Sequence, residues 1–513
     1  MASLYFEIQR KRSDRSDRMD SCVAPAQLPG FVLCHNYDWD DNGYHNWYCL
    51  HFFNENTEHR IIGEFHLMHE SGESLPLINN QPFEKLDENY CSLGNKVDYY
   101  SNLYQYLGAE MAARVAEALQ DCAVDMRIHE RYRDNDVFNS SLRRDSIPTE
   151  EALRLGRFYI NGRGITDVFR FAYYFNPDYN SACVTEWKVE FNTKSKPYER
   201  IAGVIGENGV GKTLMLHNFI KDLTEAKTDK FEGSLPIYST IIAICSTPFD
   251  KFMEIESVNR LMPYEKCCLE QNTEETRQKV LQGVEIIKRR GVLEHNPLMH
   301  SYVEKVRQAM PTENVDEVFV YHNSGMAVLR RYEINQEKLG EFLEKLSSGQ
   351  LHTLMLLTYV YEHIYTNALF VIDEPEVHLH PNAIISFMKL LYELLDEFRA
   401  YAIVTTHSPL VVREMLGRNV FLLRRLEENN VYIGHVAHET FGEDMAILYR
   451  DIFGYDDTVS CFREIIGNLI ERYEDFDEVV NHLQLEGLSL ASRFTIKGMV
   501  DAYKKRKEAN NEE

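Results

Sequence analysis

The sequence predicts an α/β fold in which a mixed sheet is flanked by helices, and three features of the chain support this prediction. A short apolar run at residues 201–205 is followed by a glycine-rich segment and then by a helix-like stretch. Two more apolar runs, residues 368–372 and 401–405, have the length of buried strands, and a helical stretch separates them. Strands that alternate with helices in this way are typical of a sheet covered by helices.

The composition excludes several other classes of protein. The chain has 513 residues, of which 44% are hydrophobic and 26% are charged, as in ordinary globular proteins. This balance argues against a disordered, collagenous or membrane-embedded chain, and the length predicts about three domains of roughly 150 residues each. The net charge of −25 repels polyanions, so a nucleic acid would need a local basic patch to bind.

The cysteines and the distribution of apolar residues predict a cytoplasmic protein. The ten cysteines form no CxxC pair, and Cys267 and Cys268 are adjacent, which is a poor geometry for a mutual disulfide. Residues 1–18 are polar and basic, so they lack the apolar stretch of a signal peptide. A membrane-spanning helix is not expected either, because no run of 18 apolar residues occurs.

Five segments are predicted along the chain. Residues 1–150 combine aromatic residues and polar turns with an amphipathic helix near residues 97–122, which predicts an N-terminal α+β accessory region. Prolines interrupt the middle of the chain and argue against a long coiled-coil arm there. The remaining segments are the first part of the core at 151–250, a mostly helical insert at 251–340, the second part of the core at 341–430 and a mostly helical C-terminal region at 431–513.

A nucleotide-binding motif follows the apolar run at 201–205. It matches the pattern GxxxxGK[ST] and consists of Gly206, Glu207, Asn208, Gly209, Val210, Gly211, Lys212 and Thr213. The glycines allow backbone N–H groups to surround phosphates, and the following helix adds the positive end of its dipole. Lys212 is expected to reach the β and γ oxygens of ATP, and Thr213 to ligate Mg²⁺.

Two adjacent carboxylates end the second apolar run. Asp373 is expected to complete the magnesium shell, and Glu374 to act as the base that orients the attacking water. Two neighbouring carboxylates after five apolar residues would be costly if they were merely buried. The sequence therefore predicts a hydrolytic site at this strand end.

Two further motifs carry a resemblance to ABC-type ATPases. Leu346–Gln350 resembles the LSGGQ signature, with Ser348 in place of the first glycine, and Ser347 precedes Asp373 by 26 residues. His407 follows Asp373 by 34 residues and resembles the switch histidine that contacts the γ-phosphate. In that family the signature serves ATP bound by another head, which implies a head-to-tail dimer with ATP in the interface. The signature residues assigned to this contact are Ser347, Ser348, Gly349 and Gln350.

The segment Asp373–Pro381 resembles the DEPExxLHP motif of the SMC/RecF/OLD-like (AAA_21) group of these ATPases. His378 and His380 are expected to belong to the dimer-contacting D-loop, with a metal site as the alternative. Cys245–Phe252 resembles the segment near the Q-loop, but it has no glutamine. The resemblance covers about Val184 to Gly442. It implies a P-loop ABC ATPase head that uses ATP and Mg²⁺, with Glu374 and His407 as catalytic residues.

Within this group, the chain resembles the PtuA-like ATPase subunits of Septu and retron-associated anti-phage systems. That resemblance implies a separate HNH nuclease subunit and, in retron modules, a complex with a nucleic acid or a reverse transcriptase. Intrinsic nuclease activity is not expected, because the residues after His407 are too few for a Toprim domain. The alternatives are a DNA-repair or chromosome-maintenance ATPase that clamps DNA, and a nucleotide-gated scaffold with little turnover.

Short basic clusters could bind a phosphate backbone despite the net charge if they converge on one face. Each is interpreted as a solvated helix face or end in preference to a nucleic-acid contact. The clusters are Lys288–Arg290, Arg330–Arg331, Arg424–Arg425 and Lys504–Lys507.

Overall fold

The computed structural model describes most of the chain, and it divides into two compact units, residues 1–442 and 443–513. The described residues are 4–11, 22–36, 44–71, 81–133, 135–143, 147–164, 168–176, 184–192, 196–225, 227–233, 235–245, 251–255, 262–268, 273–290, 297–310, 312–323, 330–378, 381–426, 430–454, 461–484 and 487–511.

The first unit begins with a five-stranded sheet and three helices. The strands pair in sequence order, with β1 and β2 parallel and the other pairs antiparallel. One face of the sheet packs against the helices in a large apolar core that includes Tyr48 and Leu50. The other face has a smaller core around Cys34 and Phe53, which the segment before β2 covers. The elements are β1 (Phe6–Lys11), β2 (Gly30–Asn36), β3 (Trp47–Phe53), β4 (His59–His69), β5 (Tyr90–Gly94), α1 (Val97–Ala118), α2 (Met126–Tyr132) and α3 (Ile147–Tyr159).

The rest of the first unit contains the central sheet, a three-stranded antiparallel sheet and the helices that cover them. In chain order the elements are β6 (Val168–Phe175), β7 (Thr185–Asn192), β8 (Ile201–Gly206), α4 (Lys212–Thr224), β9 (Phe231–Gly233), β10 (Ile241–Cys245), β11 (Tyr264–Cys268), α5 (Thr273–Arg289), α6 (Pro297–Ala309), α7 (Thr312–Val318), β12 (Phe319–Asn323), β13 (Arg330–Ile334), α8 (Gln336–Lys345), α9 (Ser348–His363), β14 (Leu369–Asp373), α10 (Pro381–Glu397), β15 (Tyr401–Thr406), α11 (Pro409–Arg413), β16 (Val420–Arg425) and β17 (Val431–His435).

The central sheet confirms the predicted fold class, α/β with a mixed sheet and flanking helices. Its strand order is β11-β10-β14-β15-β8-β16-β17, and all neighbours are parallel except β16 and β17. β8, β14 and β15 are buried at every position, as their uninterrupted apolar sequences require. Because β8, β14 and β15 are parallel neighbours, their carboxyl ends meet at one edge of the sheet.

The segment between β10 and α9 contains both helices and strands. β11 joins the central sheet, and β12 pairs with β13 in a separate hairpin, although both lie in the region for which a mostly helical insert is predicted. The helices α5 and α6 pack against α9. A Cβ at Gly283 of α5 would lie 2.5 Å from Cγ2 of Thr358, so this glycine permits the close approach of α5 and α9. The boundaries between the five predicted segments stay predictions.

The second unit is helical in its described part, and its helices are α12 (Met445–Asp451), α13 (Cys461–Tyr473), α14 (Phe476–His482) and α15 (Leu490–Asn511). Its small core joins α13, α14 and α15 through Ile466, Ile470, Val479, Ile496 and Val500. Among the described helices of the whole chain, none has the length and apolar character needed to cross a membrane.

Candidate nucleotide-binding site

The glycine-rich loop between β8 and α4 has the backbone shape that phosphate binding requires. Gly209 and Gly211 have φ angles of +76° and +107°, a region that residues with a side chain rarely adopt. Gly211 is the N-cap of α4, and it offers no side chain to bond the first N–H groups of that helix. The positive end of a 13-residue helix and its free N–H groups are therefore presented to the loop.

Lys212 lies inside this loop and is 4% exposed. Its Nζ donates to the backbone oxygens of Gly206 at 3.2 Å and of Glu207 at 3.4 Å, so the ammonium is held on the concave side of the loop. Burial lowers the pKa of Lys212, and the nearby carboxylates, above all that of Glu374, oppose this shift. The arrangement places a desolvated cation where anionic phosphate oxygens can replace the carbonyls.

Thr213 and Asp373 face each other across the sheet edge. The hydroxyl of Thr213 donates to Oδ2 of Asp373 at 2.9 Å, and Thr405 donates to the other carboxylate oxygen. Asp373 and Thr405 are directly paired in the register of β14 and β15. One hydroxyl and one carboxylate at hydrogen-bond distance form an oxygen donor set of the type that Mg²⁺ prefers, and they therefore fit the predicted metal site.

Glu374, His407 and Lys212 form a compact polar cluster. Oε1 of Glu374 lies 3.0 Å from Nε2 of His407 and 3.7 Å from Nζ of Lys212, and His407 also contacts Lys212 directly. The hydrogen bond with His407 lowers the pKa of Glu374, and Lys212 acts in the same direction. Glu374 is therefore a carboxylate at neutral pH, as a water-orienting base must be.

Two residues that position this cluster were not assigned a role from the sequence. Oε1 of Glu376 accepts hydrogen bonds from the backbone N–H of His407 at 2.6 Å and from the hydroxyl of Thr406 at 2.7 Å. Thr405 binds Asp373 through its hydroxyl, and its backbone oxygen accepts from the N–H of Glu374 at 3.1 Å. Glu376 lies in the DEPExxLHP-like segment and Thr405 lies two residues before His407, so both stand next to residues that the sequence pointed to, but only the strand pairing shows what they contact.

The signature-like residues lie at the start of α9, and their described contacts are with one another instead of with Lys212. Ser347 is the N-cap, and Ser347 and Gln350 form a reciprocal capping box. Ser347, Ser348 and Gly349 are exposed, and a Cβ at Gly349 would meet nothing within 4 Å. Within one chain, these residues therefore present an open helix N-terminus at the surface.

Some predicted positions lie outside what the structure describes. Residues 246–250, which include most of the segment near the Q-loop, and residues 379–380 are outside the described ranges, and so is the side chain of His378. The choice between a D-loop and a metal site for His378 and His380 therefore stays open.

The prediction that the cluster Lys288–Arg290 lies on a solvated helix face is wrong for Arg290, which lies beside the C-terminal end of α9. Arg290 does not lie on a solvated helix face, because its guanidinium donates to the backbone oxygens of Tyr361, Glu362 and Ile364 at 2.7 to 2.8 Å. It thereby bonds the last carbonyls of α9, which a helix leaves without partners. Its Cζ also lies over the ring of Tyr365, at 4.1 Å from the centroid.

Comparisons with known proteins agree with this site. Residues 299–412 match the AAA ATPase domain family (AAA_15), a range that includes the signature-like residues, Asp373, Glu374 and His407. Protein ea59 of Escherichia phage lambda is 25% identical over 501 residues, which cover 90% of this chain and 93% of that protein. The OLD nuclease of Thermus scotoductus is 33% identical over 69 residues, or 14% of this chain and 13% of the nuclease.

Among solved structures, the chain is similar to CbiO1 from Clostridium perfringens, part of an ABC transporter complex. The match has 13% identity and a TM-score of 0.30, and it covers 63% of this chain and all of CbiO1. An ATP-binding cassette of an ABC transporter in its ADP conformation matches with 12% identity and a TM-score of 0.31, over 56% of this chain and 97% of the cassette. The family match to residues 299–412 and the geometry of the glycine-rich loop agree with a P-loop ATPase domain.

Proposed function

We propose that the protein is a Mg²⁺-dependent ATPase whose chains dimerise head to tail around ATP. One observation carries the proposal: a phosphate-type loop, a hydroxyl and carboxylate pair, a carboxylate base and a histidine meet at the carboxyl edge of three adjacent parallel strands. Ligands of open α/β sheets bind at this edge.

Each residue of the cluster has a role that follows from its position. The loop N–H groups and Lys212 would bind the phosphates. Thr213 and Asp373 would hold Mg²⁺, which when bound would neutralise charge on the transferred phosphoryl group. A bound γ-phosphate competes with Glu374 for Lys212 and His407. Glu374 then becomes free to orient water, while His407 turns towards the phosphate.

The position of the signature-like residues supports a dimer. They lie at an exposed helix N-terminus and make no described contact with the Lys212 cluster of their own chain. A second chain in head-to-tail orientation would bring Ser347, Gly349 and the first N–H groups of α9 to the γ-phosphate. Such an interface is formed by the same surfaces on both chains, so it generates two sites.

ATP binding is tested by calorimetric titration of the full chain with ATP and Mg²⁺. Lys212→Ala should weaken binding at least about 100-fold, because a buried charge-assisted contact with phosphate is lost. Lys221→Ala is the matched control, since Lys221 lies on the same helix with an exposed side chain. Equal affinities of wild type and Lys212→Ala would contradict the binding site.

We further propose that opening and closing of the ATPase dimer restrains or releases a separate HNH-type nuclease in anti-phage defence. The support is the resemblance to PtuA-like subunits and the short match to an OLD nuclease. The protein, expressed together with its genomic neighbours, should reduce phage plating, and Lys212→Ala should restore plating. Unchanged plating with the wild-type cluster of genes would contradict the defence role and leave the ATPase proposal to its own tests.

A further inference from the structure

Two histidines and two cysteines from four separate segments meet on the face of the N-terminal sheet that lies opposite α1. Cys34 is on β2, His51 on β3 and His59 on β4, while Cys22 belongs to the segment that precedes β2. Each of the three strand residues lies two positions from the direct partner of the next, so they form a diagonal across one face of the sheet. The pairing of β2, β3 and β4 places Cys34, His51 and His59 on this face, and the segment before β2 adds Cys22.

The distances within this cluster are close to those of a metal site. Nδ1 of His51 lies 2.8 Å from Nε2 of His59, and Sγ of Cys22 lies 3.8 Å from the same nitrogen. One ligand atom from each of the three residues lies within 4.8 Å of the others. In a tetrahedral zinc site the ligand atoms are about 3.3 to 3.8 Å apart, so the two imidazole nitrogens would separate by roughly 0.5 Å on binding the metal.

Cys34 lies on the same face of the sheet but outside this group of three ligand atoms. Its side chain is fully buried, as is that of His51.

The surroundings favour a bound metal over a simple hydrogen-bonded cluster. The face consists of apolar residues, including Val32, Cys49 and Phe53, and the Phe53 ring stacks on His59 with centroids 4.8 Å apart. Nε2 of His51 is buried and has no hydrogen-bond partner among the described residues. The apolar neighbours limit the access of water to the ligand atoms, which favours metal–ligand bonds.

We propose that Cys22, His51 and His59 form a zinc site that fastens residues 22–29 to the N-terminal sheet. A set of one sulfur and two nitrogen ligands selects Zn²⁺ over Mg²⁺ or Ca²⁺, which prefer oxygen. Three protein ligands leave the fourth tetrahedral position for a water molecule. By fixing Cys22, the metal would hold the segment before β2 against the second face of the sheet.

The test is a titration of the metal-depleted full chain with Co²⁺ in the absence of nucleotide. One Co²⁺ per chain should bind, with the intense visible absorption of tetrahedral cobalt and a thiolate charge-transfer band, and zinc should displace it. Weak octahedral bands without charge transfer, or no binding at all, would overturn the proposal.

Substitution of the ligands tests whether the cobalt absorption comes from this cluster. Cys22→Ser and His59→Asn should each weaken Co²⁺ binding at least about tenfold, because each removes one of three ligands. Cys461→Ser is the matched control, since Cys461 is an exposed cysteine in the other unit. Unchanged cobalt spectra in both ligand variants would exclude the site.

Two additional measurements test for a disulfide and for the structural effect of zinc. Intact mass under non-reducing conditions should show all thiols reduced, whereas a loss of two mass units that maps to Cys22 and Cys34 would replace the zinc site with a disulfide. In the wild-type chain, zinc removal should raise hydrogen exchange in residues 22–36 and leave α4 unchanged. Equal exchange with and without zinc would contradict the structural role.

Discussion

At the scale of single residues, the backbone conformation of Glu374 supports its proposed catalytic role. Its φ angle of +47° is in the left-handed region, which costs a residue with a side chain on the order of 1 kcal/mol. Two hydrogen bonds from its N–H to the backbone oxygen and hydroxyl of Thr405 hold this conformation. The strained backbone directs the carboxylate towards Lys212 and His407.

Replacing Glu374 tests its assignment as the base. Glu374→Gln should lower kcat for ATP hydrolysis at least about 100-fold, because the amide cannot accept a proton, while ATP still binds. The measurement is phosphate release at saturating ATP, and Glu341→Gln, an exposed position on α8, is the control. Normal turnover by Glu374→Gln would falsify the catalytic assignment.

Glu376 is expected to act through His407 as a positioning residue. Glu376→Ala should lower kcat about tenfold with KM changed less than about twofold, because two hydrogen bonds that fix residues 406 and 407 are lost. Glu376→Gln should recover most of the activity, since an amide oxygen accepts the same two bonds. Equal loss in both variants would indicate that the charge of Glu376, and not its acceptor geometry, matters.

Much of the site could be predicted from sequence spacing because each motif follows an apolar strand. The structure brings Lys212, Thr213, Asp373, Glu374 and His407 together, as the spacing implies for parallel strands. The contacts of Thr405 and Glu376 depend on which strands are neighbours, and a single sequence does not contain that information. The proposed zinc site was not predicted, because its ligands show no local spacing pattern and come together only through the tertiary fold.

At the scale of elements, α9 links the signature-like residues to the N-terminal region. Its first turn carries Ser347 as a cap, and its last carbonyls bind Arg290. Just beyond its end, the guanidinium of Arg154 on α3 lies over the Tyr365 ring at 3.6 Å, and Arg154 is held by Glu150. A shift of α9 on dimer closure would therefore change the contacts that its C-terminal end makes with α3 and with α5.

Arg290 should stabilise this junction measurably. Arg290→Ala should lower the free energy of unfolding by about 2–3 kcal/mol, because charge-assisted bonds to three helix carbonyls disappear. The neighbouring Arg289→Ala is the control, since the side chain of Arg289 is exposed. Denaturant unfolding followed by circular dichroism measures both, and equal stabilities would show that the cap is not stabilising.

The sequence misjudged Arg290 because three consecutive basic residues on a helix usually face solvent. Only the approach of α5 to α9, permitted by Gly283, places Arg290 beside the end of the neighbouring helix. The edge strand β11 could not be predicted for a related reason. Its sequence, Tyr264–Cys268, is short and mixed in polarity, and it is a strand because β10 provides a parallel partner.

At the scale of the whole molecule, the account depends on a site shared by two chains. The Lys212 cluster is half-buried at the sheet edge, and the signature-like residues are exposed elsewhere on the same chain. If both halves are needed for hydrolysis, two inactive variants with defects in different halves can complement each other in a mixed dimer. Two variants with defects in the same half cannot.

The measurement that tests this claim most directly is ATP hydrolysis by mixed inactive variants. Lys212→Ala and Ser347→Arg should each be inactive alone, and their co-expressed mixture should regain activity, because one site in each mixed dimer has an intact loop and an intact signature. A mixture of Lys212→Ala with Glu374→Gln is the control and should stay inactive, since both defects lie in the loop half. Recovery in the first mixture alone is the predicted result. Inactivity of both mixtures, despite mixed dimers seen by native mass spectrometry, would contradict the shared site.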